Sequence, residues 1–159
     1  MIWGAVVGGV FGTIVLTTLL RAASELGWTR MDLPFLLGTA VTADRVRAKA
    51  AGYALHFVFG IVFALAYSAV FAVVGRSGFL LGGLLGLVHG LFAGTALVNV
   101  LLPVVHPRMG TGFNAAGSSP LIEPPGFMLR SYGRQTPLAT LVSHVAYGAI
   151  VGGFASLAG

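Results

Sequence analysis

Four histidines are the residues best equipped for chemistry in this chain: His56, His89, His106 and His144. Imidazole binds metals and haem iron, and two histidines on facing helices can clamp a macrocycle. His56 and His144 suit that arrangement, since Gly52 and Thr140 stand four residues before them and a small residue there leaves room for a flat haem or pigment. A second possibility is a metal ion held by His56, His106 and His144. The third reading is structural. Neutral histidines would hydrogen-bond across helices, each contact contributing about 0.6 to 2 kcal/mol. This reading takes precedence over a cofactor or metal. His89 lies toward the middle of its apolar segment and reads as remote from the other three, and Asn99 reads as interhelical glue.

Other chemistries lack their parts. The four acidic residues are Glu25, Asp32, Asp44 and Glu123, and none lies in a long apolar stretch. Ion-coupled transporters and carboxylate-bridged di-iron bundles need carboxylates within the membrane. No serine has a base and an orienting group nearby in sequence, so a hydrolase is not indicated. There is no cysteine, which excludes disulfides and thiolate metal sites. The chain therefore reads as non-enzymatic.

The elements that must position the histidines are membrane spans. Hydrophobic residues form 57% of the 159, charged residues only 8%, and the mean hydropathy is +0.94, far from a soluble domain. Four stretches reach the ~20 apolar residues that a bilayer core requires. They run from about Ile2 to Leu20, Gly52 to Val74, Phe79 to Val105 and Leu138 to Ala158. The first lacks the basic start and cleavage pattern of a signal peptide, so it is expected to stay as a helix.

Segments 21–51 and 106–137 carry every basic residue except Arg76, which places them in the cytoplasm and both termini outside. The basic residues thus mark membrane edges, and nucleic acid is not an expected partner. Trp3 and Trp28 suit opposite interfaces. Leu33 to Leu37 is too short to span and is expected in the interface, while Thr42 or Asp44 can cap the helix bearing Arg45, Arg47 and Lys49. Gly110, Gly112, Gly117, Ser118, Ser119 and Pro120 signal a loop. Leu121-Ile122 and Phe127-Met128-Leu129 are apolar enough to fold back toward the membrane, and Thr136-Pro137 reads as a cap and first helical residue.

Within the third span, Gly78, Gly82, Gly86, Gly90 and Gly94 recur every fourth residue. On a helix these fall on nearly one face and form a groove for close helix approach. Five rungs exceed what one crossing uses, so the ladder predicts a long seam, within the chain or with a partner. Gly60, Gly148 and Gly152 are further packing positions, and they belong to an internal match. His56, Phe59, Gly60, Ala64 and Ser68 align with His144, Tyr147, Gly148, Gly152 and Ser156, and Gly4, Gly8, Gly9 and Gly12 with Gly78, Gly82, Gly83 and Gly86. The expected fold is all-α: a four-helix transmembrane bundle of two parallel-repeat hairpins.

A family resemblance rests on Gly38-Thr39, Asp44-Arg45, Arg47-Ala48-Lys49, His56 with Gly60, His89-Gly90 and His106-Pro107-Arg108-Met109. It continues through Glu123-Pro124-Pro125-Gly126-Phe127, Tyr132-Gly133-Arg134, Thr136-Pro137 and His144 with Tyr147-Gly148. From about Met31 onward the chain resembles small bacterial polytopic membrane proteins known only as a domain of unknown function. The resemblance implies an inner-membrane location and carries no activity. The leading expectation is an accessory or packing subunit of a larger membrane assembly, contacting lipid and other subunits or itself. The alternatives are a histidine-ligated haem, pigment or metal protein and, third, a small-solute transporter with a cavity near His89 and Asn99.

Overall fold

Backbone groups in lipid must be satisfied internally, and helices are the simplest way to do so. In the computed structural model, which describes residues 2–109 and 122–158, four helices are long and apolar enough to cross a membrane: Ile2–Glu25, Arg45–Val74, Phe79–Val105 and Thr136–Leu157. The glycine- and serine-rich stretch at 110–120 and Leu121 lie outside the described residues.

α1 (Ile2–Glu25) holds three threonines whose hydroxyls donate to carbonyls one turn back: Thr13 to Gly9, Thr17 to Thr13 and Thr18 to Ile14, at 2.7 to 2.8 Å. Their polarity is thereby satisfied within the helix. A short helix, α2 (Leu33–Gly38), follows. Asp32 caps it by accepting from the Phe35 N–H at 3.1 Å, and Pro34 sits in its first turn. Of the two caps open to the next helix, Asp44 takes the role: it accepts from the Arg47 N–H at 2.8 Å. That helix, α3 (Arg45–Val74), has 30 residues and a length of ~45 Å, more than the ~30 Å of a bilayer core. Its charged first turns project beyond the apolar region, and there α2 crosses it closely. A Cβ on Gly38 would strike the Ala48 carbonyl, and one on Gly52 the Pro34 carbonyl.

α3 ends at Gly75, whose φ of 69° is left-handed. α4 (Phe79–Phe92) continues into a π-helical stretch, Ala93–Leu101, and then a last turn, α5 (Leu102–Val105). Pro103 lacks an N–H and its ring presses on the carbonyl four residues back, that of Asn99, so the wider π form directly upstream has an identifiable cause. Pro107 then holds His106 extended (φ −88°, ψ 108°) and stops the helix. Met109 and Ile122 form an isolated parallel bridge.

A 3-10 segment, Phe127–Tyr132, folds back onto the π-helical stretch and onto α6 (Thr136–Leu157), burying Leu129 and Tyr132. Met128 and Leu129 have φ of 54° and 61°, rare for residues with a Cβ. Thr136 does not cap α6. The cap position is Gln135, and the Thr136 hydroxyl instead donates to Thr29 Oγ1 at 2.8 Å.

The helices are arranged in the order α3, α1, α6, α4, with α6 touching both α1 and α4 and α1 touching both α6 and α3. α6 is the most buried span. α1 and α6 meet where Gly4, Gly8 and Gly12 face Phe154, Val151 and Tyr147. α3 and α4 close the ring through side chains, Phe63 and Tyr67 against His89.

Candidate functional site

The close crossing of α4 and α6 decides where the histidines go. A Cβ on Gly82 would strike the Gly148 carbonyl, and one on Gly86 the His144 carbonyl. A Cβ on Gly90 would sit 3.0 Å from the His144 Cβ. With the backbones this near, His89 is pressed against His144, the ring centroids 4.8 Å apart and nearly perpendicular. The expectation that His89 is remote is therefore wrong. It follows Gly86 by three residues, so it shares the face that meets α6, and the antiparallel register sets both imidazoles at one level.

The space between α3, α4 and α6 holds a cluster of rings. Phe63 lies 3.8 Å from His89, centroid to centroid. Tyr67 presents its hydroxyl to His89 Nδ1 at 3.2 Å. Tyr147 lies 6.0 Å from His89 and 5.8 Å from Tyr67, and its hydroxyl donates to the Gly60 carbonyl. His144 donates from Nδ1 to the Thr140 carbonyl at 2.8 Å, which places a proton on Nδ1. His56 completes the cluster from α3. Its side chain is only 9% exposed and its Nε2 is buried with no hydrogen-bond partner, as are Ser68 Oγ and Thr140 Oγ1.

Tyr67, Tyr147 and Phe63 did not figure among the expected site residues. A signal existed for Tyr67: it follows His56 by eleven residues, three turns on the same helix face. The aligned positions Phe59 and Tyr147 take opposite environments, 43% and 1% exposed, so the internal match does not carry over to the surroundings of those side chains.

The three-histidine metal centre is not assembled. His106 is drawn away from the ring cluster to the basic end, where it joins α2 to the end of α5. Its Nε2 lies 3.0 Å from the Leu36 carbonyl and 3.3 Å from Thr39 Oγ1, and Nδ1 accepts from the Arg108 N–H at 3.2 Å. These bonds define a neutral ring with its proton on Nε2. Burial pulls the His106 pKa below its usual 6.5, against the opposing Leu36 bond. Arg108 adds a bond of 2.8 Å to the Thr39 carbonyl, so two side chains cover the last carbonyls of α2. Among the described residues, no group of three His, Cys, Asp or Glu side chains is placed to hold a metal.

A macrocycle does not fit between His56 and His144 either. The space offered by Gly52 is filled by the Pro34 backbone, and His89 with its neighbouring rings occupies the side toward α4. Asn99 is not interhelical glue: its Nδ2 donates to Gly94 and Thr95 carbonyls of its own helix at 3.0 and 2.9 Å. All four carboxylates lie at the end of the bundle that carries Arg21, Arg30 and Arg45, away from the ring cluster.

Of the expected packing glycines, Gly82, Gly86 and Gly90 face α6. Gly78 precedes α4 with φ of 126°, and its carbonyl is what a Cβ on Gly152 would strike. Gly94 faces Met128 rather than a span, and Gly60 faces Thr13 of α1.

A cleft reaches the cluster from the basic end. It lies between α1, the start of α2 and α3. Arg21 and Ser24 line it from α1, Asp32 and Leu33 from the α2 region, and Tyr53 and His56 from α3. Among the described residues, His56 is the one that belongs both to this cleft and to the electrostatic neighbourhood of His144 and His89. Comparison with protein-family models, curated proteins and solved structures gives no match.

Proposed function

We propose that this chain is a non-enzymatic, multi-pass protein of a bacterial inner membrane that binds a small ligand from the cytoplasmic side, in the cleft that ends on His56. The observation that carries the reading is His56, a residue of the cleft wall whose buried Nε2 has no hydrogen-bond partner. A buried polar atom without a partner costs about 1 to 3 kcal/mol, and a ligand that supplies the missing bond recovers it. An intramembrane ionisable side chain is by default a candidate functional site. The basic residues of 21–51 and 106–137 support a cytoplasmic opening.

The accessory-subunit reading draws on the glycine ladder, and that ladder turns inward: three rungs face α6 and a fourth faces Met128. Little of it is left for a partner helix. The transporter reading draws on space near His89 and Asn99, where Phe63 and the helix's own carbonyls are found.

Purification from native membranes in mild detergent, with small-molecule and intact-complex mass spectrometry, tests the proposal. Wild type is expected to carry a small molecule that His56→Phe loses. Identical bound species in both would overturn it. A stoichiometric protein partner without any small molecule would favour the accessory subunit instead.

A further inference from the structure

The cleft is lined by one cation and one anion, Arg21 and Asp32. Arg21 pairs with Glu25 at 2.6 Å, and Lys49 with Asp32 at 3.0 Å. Both pairs are well exposed and neither uses up its partners. Glu25 engages Nε and one terminal nitrogen of Arg21, leaving further N–H donors on a group that has five. Asp32 gives one oxygen to the Phe35 N–H and the other to Lys49, and each retains a lone pair. The lining of the cleft sets one positive side chain beside one negative one. It is suited to a net-neutral group that carries one phosphate and one ammonium. The same lining includes the apolar Leu20, Met31 and Leu33, the exposed Tyr53 and the buried His56. The cleft therefore combines charged, apolar and imidazole surface.

We propose that the cleft between α1, α2 and α3 holds one phospholipid with a primary-amine headgroup, its phosphate on Arg21, its ammonium on Asp32, and a hydroxyl or ester oxygen of the same lipid near His56. This assignment rests on the ligand-binding reading above and names its ligand class. A bilayer lipid suits the position better than a soluble phosphate compound. The cleft is formed at the junction of a spanning helix, α1, with α2, a helix too short to span, and Leu33 and Met31 give its wall an apolar character that a free phosphate would not use. Primary ammonium differs from trimethylammonium in having N–H donors for the Asp32 carboxylate. That difference makes the proposal specific.

The test is native mass spectrometry of the full-length protein released from nanodiscs containing equal parts of phosphatidylethanolamine, phosphatidylcholine and phosphatidylglycerol. One phosphatidylethanolamine is expected to stay bound, preferred about tenfold over phosphatidylcholine, as one charge-assisted hydrogen bond supplies. Asp32→Asn keeps an N-cap for α2 and removes the charge, so it is expected to retain lipid while losing the preference between these two headgroups. Preferential retention of phosphatidylglycerol, or a preference unchanged in Asp32→Asn, would overturn the headgroup assignment and leave the binding reading standing. Retention of no lipid above background, with another small molecule still lost in His56→Phe, would also overturn the lipid and leave the cleft. Equal retention of all three lipids by wild type and His56→Phe would overturn both. Competition by millimolar phosphoethanolamine as strong as that by the intact lipid would reassign the ligand to a soluble compound.

Discussion

The seam between α4 and α6 and the seam between α3 and α4 are built on opposite principles. At the first, Gly82 and Gly86 lie against Gly148, Gly152 and the His144 carbonyl, backbone on backbone. At the second, Phe63, Tyr67 and His89 hold the helices apart. Lipid is as apolar as leucine, so no hydrophobic force drives helices together in a bilayer. Close van der Waals contact and buried hydrogen bonds must do it. The glycine seam takes the first route and fixes the frame. The ring seam combines ring contacts with the Tyr67–His89 bond, and its width is what admits three imidazoles and two phenols. One helix, α4, belongs to both, with glycines and His89 on adjoining parts of its surface.

The largest effect is expected from breaking the glycine seam. Gly86→Leu places a side chain where only a carbonyl and a backbone Cα stand, and backbone cannot rotate away as a side chain can. Overpacking in yielding cores costs about 1 to 3 kcal/mol, and an unyielding site costs more. Thermal unfolding in detergent is expected to show loss of the cooperative transition. Gly83→Leu is the matched control, since its nearest neighbour would be the Val145 side chain at 3.7 Å, and it is expected to melt near wild type. Equal melting of the two variants would dissolve the contrast between the seams.

Next in size is acidification, which acts at neither seam but on the clasp at the basic end. His106 is held neutral by its Leu36 and Arg108 bonds, and burial lowers its pKa from 6.5. Between the unfolded value of 6.5 and the lower folded one, the unfolded chain binds the extra proton. Stability is therefore full above pH 6.5 and declines as pH falls toward the folded value. Melting measured from pH 7.5 downward is expected to show this decline, and His106→Gln, which cannot titrate, is expected to reduce it by the His106 share while the histidines of the ring cluster remain. Tyr132 is no competing source near neutrality. Burial, reinforced by Glu123, pushes its pKa up to about 12, so its hydroxyl remains a donor to the Glu123 carbonyl.

A smaller loss is expected from Tyr147→Phe, which removes one donor from the Gly60 carbonyl and leaves the ring in place. The expected cost is about 0.6 to 2 kcal/mol by chemical denaturation. A cost indistinguishable from zero would mean that the bond linking α6 to α3 does not help set the width of the ring seam.

The four spans were legible because length and apolarity alone identify them, and the faces of Gly82 and Gly86 were legible because a four-residue spacing keeps one side of a helix. What sequence spacing does not encode is relative depth. His89 meets His144 only because of the register between two antiparallel helices, and no property of either helix alone sets that. The same holds for Gly52, read as room for a ligand and filled by the Pro34 backbone from α2. Asn99 was misread for a different reason: a polar side chain in lipid seeks the nearest acceptor, and the π-helical stretch before Pro103 offers carbonyls of its own helix.

The finest test of the comparison lies at His89, where the two seams share a helix. His89→Phe keeps an aromatic ring against Phe63 and His144 and removes only the bond to the Tyr67 hydroxyl. If the ring seam is held mainly by ring contact, the change costs about 0.6 kcal/mol or less, near the average for a hydrogen bond between spans. His89→Ala removes the ring itself and is expected to cost about 2 to 5 kcal/mol, because the glycine crossing prevents α4 from moving in to fill the cavity. The informative quantity is the gap between the two variants. A wide gap means that the glycine seam holds α4 rigidly while the rings fill a space defined for them. If His89→Ala is as mild as His89→Phe, α4 is free to collapse toward α3, and the glycine crossing does not fix the frame.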